Sequence, residues 1–456
     1  MAKIRPTDPA LSFQRMLRML IGPRPAAPSP RRDVRKLVAL CETLLTERGD
    51  FSGRRLATDA LLAYAMLDAD SRELFFDHLV KDFSPSPEAL SRAADNYRTD
   101  PTQGNLIRLQ TAVEPPRQEL FRRLNQGEGG TAVLVEMRKH LLATLSKHPE
   151  RAGIDADLAH LFRSWFNRGF LFLQRIDWGT SALILERLIE YEAVHQINGW
   201  SDLRRRLDAD RRCYGFFHPA LPNQPLIFIE IALVHGLPAK VQPLLDPNAP
   251  VLDPATADCA AFYSITNCHD GLRGVSFGNM LIKQVVEELR RDFPRLKTFA
   301  TVSPVSGFAD WLTKTSPALT IDERRPTLLR KVLDKFRGAG EDDQEPDVAP
   351  GIQRELSRLC ASYLMYAKRD GKLPLDPVAR FHLANGARLE RLNWMGDTSA
   401  AGLARSLGFT VNYVYRLADV ERNHEAYAKA HIVAASNEFR HLADRTVVLD
   451  PFKPTA

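Results

Sequence analysis

The chain is 456 residues long and 44% hydrophobic, enough apolar material for two or three domains with sizeable cores. Its 62 basic and 56 acidic residues leave a net charge of +6, interleaved along the chain, so a small anionic ligand fits the balance at least as well as nucleic acid. No basic stripe with interspersed aromatics marks a nucleic-acid surface, and no stretch reaches the roughly 20 apolar residues of a membrane span.

Residues 1–32 are basic and proline-rich and read as a flexible arm. Their arginines suit a transit peptide, but Asp8 and the short helical patch LSFQRMLRMLI depart from that pattern. From 33 to 167 the chain reads as helix after helix. DVRKLVALCETLLTERG starts at Asp33 as a candidate N-cap, repeats apolar residues at helical spacing and stops at Gly49. Helical runs follow over 53–83, 86–98, 104–114, 116–126, 130–148 and 155–170, joined by Pro, Gly, Ser and Asp. Titratable residues do not cluster catalytically there, which suits a helical bundle that packs and oligomerises.

Near residue 168 the pattern changes. FLFLQRI, CYGFFHP, PLIFIEIALV, AAFYSI and LKTFATVSP read as strands; SALILERLIEYEAV, WSDLRRRLDADRR and NMLIKQVVEELRRDF read as helices. Such alternation implies a mixed sheet domain over 168–456. The polar, Pro/Gly-rich stretch 337–351 reads as an exposed loop, and helix resumes at IQRELSRLCASYLMYAK. Five cysteines without a C-x-x-C pair fit a reducing compartment and argue against a zinc ribbon or disulfide framework.

GVSFG, residues 274–278, fits the G-x-S-x-G elbow of a serine hydrolase, with Asp310 or Asp376 and His382 completing a triad. An elbow needs the serine on a tight turn directly after a strand. Here the strand ends near Thr266, and NCHDGLR intervenes. A phosphate cradle explains more residues: Gly271, Gly274 and Gly278 admit close backbone approach, Arg273 adds charge, and a helix follows. The segment resembles the strand–loop–helix–strand of GNAT-type acyltransferases, in which that loop binds the pyrophosphate of coenzyme A. Arg273 and Gly278 match their pattern, while Ser276 stands where its first glycine would be.

Longer motifs carry a more specific resemblance. EAVHQINGWSDLRRRL, RRCYGFFHPALPNQPLIFIEIAL, the segment from FYSI through GLRGVSFGNMLIKQVVEELRRDFPRLKTFATVSPVSGF, and FHLANGARLERLNWMGD together resemble the malonyl-CoA decarboxylase family over about 168–425. The resemblance implies an α+β chain: an N-terminal all-α bundle for oligomerisation, then a GNAT-like mixed α/β catalytic domain. It implies malonyl-CoA as substrate, with acetyl-CoA and carbon dioxide as products. Ser303 and His382 fall on the family's catalytic serine and histidine. Ser264 and Tyr415 fall on further active-site positions, as substrate-binding residues. Arg273, Gly274, Val275, Ser276, Phe277, Gly278 and Asn279 form the expected coenzyme A cradle; some relatives have glutamate at the position of Ser276. The thioester is its own electron sink, so no metal or cofactor is expected. A cytoplasmic homo-oligomer, dimer or tetramer, without nucleic-acid or membrane partners completes the expectation.

Overall fold

The computed structural model describes residues 30–275, 281–315, 336 and 348–443. The chain divides into two units. One holds the chain up to Phe172 with Phe217–Leu226 and Asn267–Phe277; the other holds Leu173–Phe216, Ile227–Thr266 and the chain from Gly278 onward.

The first unit is helical: α1 (Pro30–Thr46), α2 (Asp50–Ala65), α3 (Ala69–Lys81), α4 (Pro87–Thr99), α5 (Gln103–Val113), α6 (Pro116–Leu124), α7 (Gly130–Thr144) and α8 (Ala152–Trp165). Helix α1 begins at Pro30, so Asp33 sits in its first turn and is not the cap; proline is pre-set for that first position. The run expected over 53–83 is two helices. Asp68 starts the second by accepting the Ser71 N–H at 2.8 Å, an N-cap bond that satisfies a donor the helix cannot. Phe75, Phe76, Leu120, Phe121, Leu134, Leu158 and Phe162 are buried inside this unit. The patch LSFQRMLRMLI lies outside the described residues.

The second unit is built on a mixed sheet. Its strands are β1 (Phe172–Ile176), β2 (Arg211–Phe217), β3 (Ile227–Val234), β4 (Cys259–Asn267), β5 (Thr298–Thr301), β6 (Ser303–Pro304), β9 (Arg388–Asn393) and β10 (Thr410–Val414); β7 (Lys368–Arg369) and β8 (Leu373–Pro374) form a separate pair. The order is β1-β2-β3-β4-β5-β10-β6, with β9 also on β10. Strands β4 and β5 run parallel, Cys259 opposite Thr298, whereas β10 is antiparallel to β5, β6 and β9. The helices are α9 (Ala182–Tyr191), α10 (Trp200–Arg206), α11 (Gln242–Leu245), α12 (Leu281–Asp292), α13 (Phe308–Thr315), α14 (Pro350–Tyr366), α15 (Pro377–Ala384), α16 (Ala400–Ser406), α17 (Leu417–Ala430) and α18 (Asn437–Leu442). The expected strand–loop–helix–strand is thus β4, loop, α12, β5.

Two local differences from the sequence reading bear on the site. LKTFATVSP is not one strand but two: Val302 interrupts it, donating its N–H to Phe262 O at 3.0 Å and burying its side chain with Ala261 and Tyr263. Helix α9 ends at Tyr191, short of the expected 194, because Glu192 accepts the N–H groups of Val194 and His195 at 2.8 and 2.7 Å. The expected loop 337–351 lies largely outside the described residues, and its last two positions, Pro350 and Gly351, already open α14. No helix among the described residues is long and apolar enough to cross a membrane.

Candidate active site

Strand alternation decides which side chains meet. Successive strand residues face opposite ways, so with Val302 packed in the core, Thr301 and Ser303 share the other face. Their hydroxyls bond at 2.9 Å, Ser303 donating. On β10 and just past it, Tyr413 and Tyr415 share a face by the same rule. His382 comes from the last turn of α15, which starts at Pro377 behind the N-cap Asp376. The imidazole stacks on Tyr413, with centroids 4.4 Å apart. Its Nδ1 lies 2.7 Å from the Tyr415 hydroxyl and its Nε2 lies 3.2 Å from Ser303 Oγ.

The proton positions follow from donor accounting. Thr301 Oγ1 directs its proton toward Val411 O and accepts the Tyr413 N–H at 3.1 Å, so it takes the Ser303 proton as well. Ser303 Oγ is then an acceptor toward Nε2–H, which leaves Nδ1 to accept from Tyr415 O–H. The chain runs Tyr415 to His382 to Ser303 to Thr301, and all four side chains are buried. Burial pushes the His382 imidazole down to about 3 and the Tyr415 phenol well up, because a low-dielectric surrounding penalises the charged form of each. His382 is therefore a neutral imidazole near pH 7, and not the group titrating near neutrality that an unperturbed histidine would be.

The described part of the hydrolase triad is not assembled, since both His382 nitrogens face other residues, Tyr415 and Ser303; its serine, Ser276, lies outside the described residues. Asp376 does not reach the imidazole, whose Nδ1 is engaged by Tyr415. Its carboxylate instead accepts the Ala379 N–H at 2.8 Å and the Gly307 N–H at 3.3 Å, tying the turn after Ser303 to the start of the helix that carries His382. Asp310 is exposed on α13.

An open cleft of about 140 Å³ lies over the pair, lined by Ser303, Pro304, Ser306 and His382 on one side and by Ala193, Val194, Ser264, Asp397 and Arg405 elsewhere. Ser264 is buried, and its hydroxyl donates to both Glu192 oxygens at 2.9 and 2.8 Å. Nothing in the periodicity marks Glu192; its signal is its place in EAVHQING, just past a helical run. Among the described residues no group of three or more His, Cys, Asp or Glu is placed to hold a metal ion.

Tyr415 is expected to matter through the imidazole. In Tyr415→Phe the ring is kept but a buried Nδ1 loses its donor, at a cost of about 1–3 kcal/mol. We expect kcat to fall about 10- to 100-fold with KM nearly unchanged, measured by steady-state kinetics.

The described part of the expected cradle, up to Val275, is held within the first unit. The Arg138 guanidinium, buried in α7, donates to the carbonyls of Gly271 and Arg273, each at 2.8 Å, and to Asp155 Oδ1 at 2.8 Å. A Cβ on Gly271 would sit 1.9 Å from Val135 O. Gly271→Ala should therefore destabilise the protein by about 1–3 kcal/mol, read as a lower urea midpoint. Gly274 has φ 77° with open space around its Cβ position, and Arg273 beside it is exposed. The N–H groups of Leu272, Arg273 and Val275 close turns onto His269, Asp270 and Leu272. A phosphate cradle would have to draw on Gly274 and on Ser276, Phe277, Gly278 and Asn279, which lie outside the described residues.

Comparison with known proteins gives consistent matches. Residues 169–449 match the model of the malonyl-CoA decarboxylase C-terminal domain, and residues 83–166 that of its N-terminal domain. A mitochondrial malonyl-CoA decarboxylase from Anser anser anser is 33% identical over 423 residues, covering 86% of this chain and 84% of the relative. The crystal structure of a malonyl-CoA decarboxylase from Rhodopseudomonas palustris superimposes with a TM-score of 0.84 at 47% identity, covering 90% of this chain and 99% of that one. That of the Agrobacterium vitis protein gives 0.81 at 47% identity, covering 89% and 99%.

Proposed function

The chain belongs to the malonyl-CoA decarboxylase family and is a carboxy-lyase, and we propose that Ser303 and His382 protonate the enolate formed when malonyl-CoA loses carbon dioxide. The observation that carries this reading is the Ser303 Oγ to His382 Nε2 contact of 3.2 Å at the cleft.

The chemistry is short. The bond between the α-carbon and the carboxylate breaks, its electron pair moves into the thioester carbonyl, and carbon dioxide leaves. The resulting enolate carbon takes the proton of Ser303 Oγ, which turns from Thr301 toward the substrate. The serine oxygen recovers a proton from His382 Nε2–H, and Tyr415 O–H supplies one to Nδ1. Solvent restores the chain, so one proton is consumed per turnover. In this scheme Ser303 is a proton donor and never a covalent nucleophile. A neutral imidazole suits the task, because it gives from one nitrogen while accepting at the other. The thioester carbonyl is the electron sink, so the reaction needs no metal or organic cofactor.

The cradle expected over Arg273, Gly274, Val275 and residues 276–279 is proposed to hold the phosphates of coenzyme A through the exposed Arg273 guanidinium, the Gly274 N–H and residues 276–279, because the N–H groups of Arg273 and Val275 already close turns. Backbone N–H groups at a helix start, with the helix dipole, favour such charge. We further propose a homo-oligomer assembled through the helical unit and residing in the cytoplasm. Light scattering and cell fractionation test these two points.

The deciding assay incubates the purified protein with malonyl-CoA alone and follows acetyl-CoA. Product formed without an acyl acceptor, undiminished by a metal chelator, is the expected result. Absence of product, or turnover only when an amine acceptor is added, would overturn the reading in favour of an acyltransferase.

A further inference from the structure

Glu192 is buried, and each of these hydrogen-bond partners of its carboxylate is a donor: the N–H of Val194 at 2.8 Å, the N–H of His195 at 2.7 Å, the Ser264 hydroxyl at 2.8 and 2.9 Å and the Thr266 hydroxyl at 3.1 Å. A carboxylate with four donors is an acceptor only. It therefore fixes two things at once. It holds the segment 193–195, of which Ala193 and Val194 form cleft wall, and it takes the single proton of Ser264. Thr266 also gives its proton to Glu192, so the 3.2 Å contact between the two hydroxyls leaves Ser264 Oγ with lone pairs and no proton to offer.

We infer that Glu192 is a positioning residue that sets the polarity of the cleft wall: Ser264 meets the ligand as a hydrogen-bond acceptor. The inference rests on the proposed reading that this cleft takes the acyl end of a coenzyme A thioester. At that end the carboxylate and thioester oxygens are themselves acceptors, and the donor within reach is an amide N–H of the pantetheine arm. Ser264 thus contacts that amide and not the malonyl carboxylate.

The test compares malonyl-N-acetylcysteamine with its ester analogue, in which oxygen replaces the amide N–H, using the full-length protein. Each is measured as a substrate and as a competitive inhibitor of malonyl-CoA turnover. The wild type should favour the amide about tenfold. Ser264→Ala should treat the two alike, with kcat on malonyl-CoA changed less than KM. In Glu192→Gln the new NH2 can donate to Ser264 and free its proton, so the amide preference should vanish there too. A wild type indifferent to the exchange, or a Ser264→Ala variant that keeps the full preference, overturns the inference. Ser264→Ala removes one small atom and carries the test if Glu192→Gln fails to fold. Absence of malonyl-CoA turnover by the wild type would instead refute the decarboxylase reading.

Discussion

Ser303→Ala is expected to lower kcat on malonyl-CoA by about 10²–10⁴-fold, the range spanned by positioned acid–base groups, while KM stays within a few-fold. The substitution removes one oxygen from a buried position, so the loss reads as chemistry and not as unfolding. His382→Ala should cost a similar factor. It also leaves the Tyr415 hydroxyl and the Tyr413 face without their partner, so its thermal midpoint should fall as well. In the proposed relay the two residues act together, so the double variant should be no slower than the slower single one. A covalent mechanism makes a different forecast: an acylated Ser303 would be trapped by rapid quenching, whereas a proton donor leaves no adduct. Activity within threefold of wild type in Ser303→Ala would sink the relay.

The helices were the easiest part to read, because their apolar spacing is regular and their starts carry Pro, Asp or Ser. The parallel β4–β5 unit was legible for a related reason: two apolar runs flank one strongly amphipathic helix. What escaped was β10. FTVNYVYRL reads as part of a tyrosine-rich tail, yet all five residues of Thr410–Val414 are buried in the sheet. Its polar members are satisfied there, with Asn412 donating to Thr301 O at 2.7 Å and to Pro238 O at 3.0 Å. Periodicity cannot show that, since the partners lie far off in the chain. The same limit applies to the site. The resemblance named Ser303 and His382, but not that Tyr415 addresses the imidazole or that Glu192 addresses Ser264. Those are pairings across 33 and 72 residues, and they exist only once strands and helices have been laid side by side.

The burial of His382 also predicts how the protein responds to acid. In the unfolded chain the imidazole has its ordinary value of about 6.5; folded, burial holds it down to about 3. Above pH 6.5 it is neutral in both states, and stability is unaffected by it. As pH falls below 6.5 the unfolded state binds the proton first, so folding stability drops, and the drop continues until the folded state also protonates near 3. The slope is about 1.4 kcal/mol per pH unit, and the whole window is worth at most about 5 kcal/mol. That is comparable with the total stability of many domains. Between pH 7 and pH 5 the wild type should lose about 2 kcal/mol from this residue alone. His195 and His218 are also held down by burial and add to the measured fall, so the comparison must be with His382→Gln, which keeps them. Urea midpoints at pH 7 and pH 5 for the two proteins give the difference directly: the variant should be less acid-sensitive by about that amount. Equal acid sensitivity would mean that His382 titrates near its ordinary value when folded. It would then be available as an imidazolium acid, and kcat should fall as pH rises through 6.5. A neutral His382 predicts instead that kcat shows no inflection from this residue anywhere between pH 5 and pH 8.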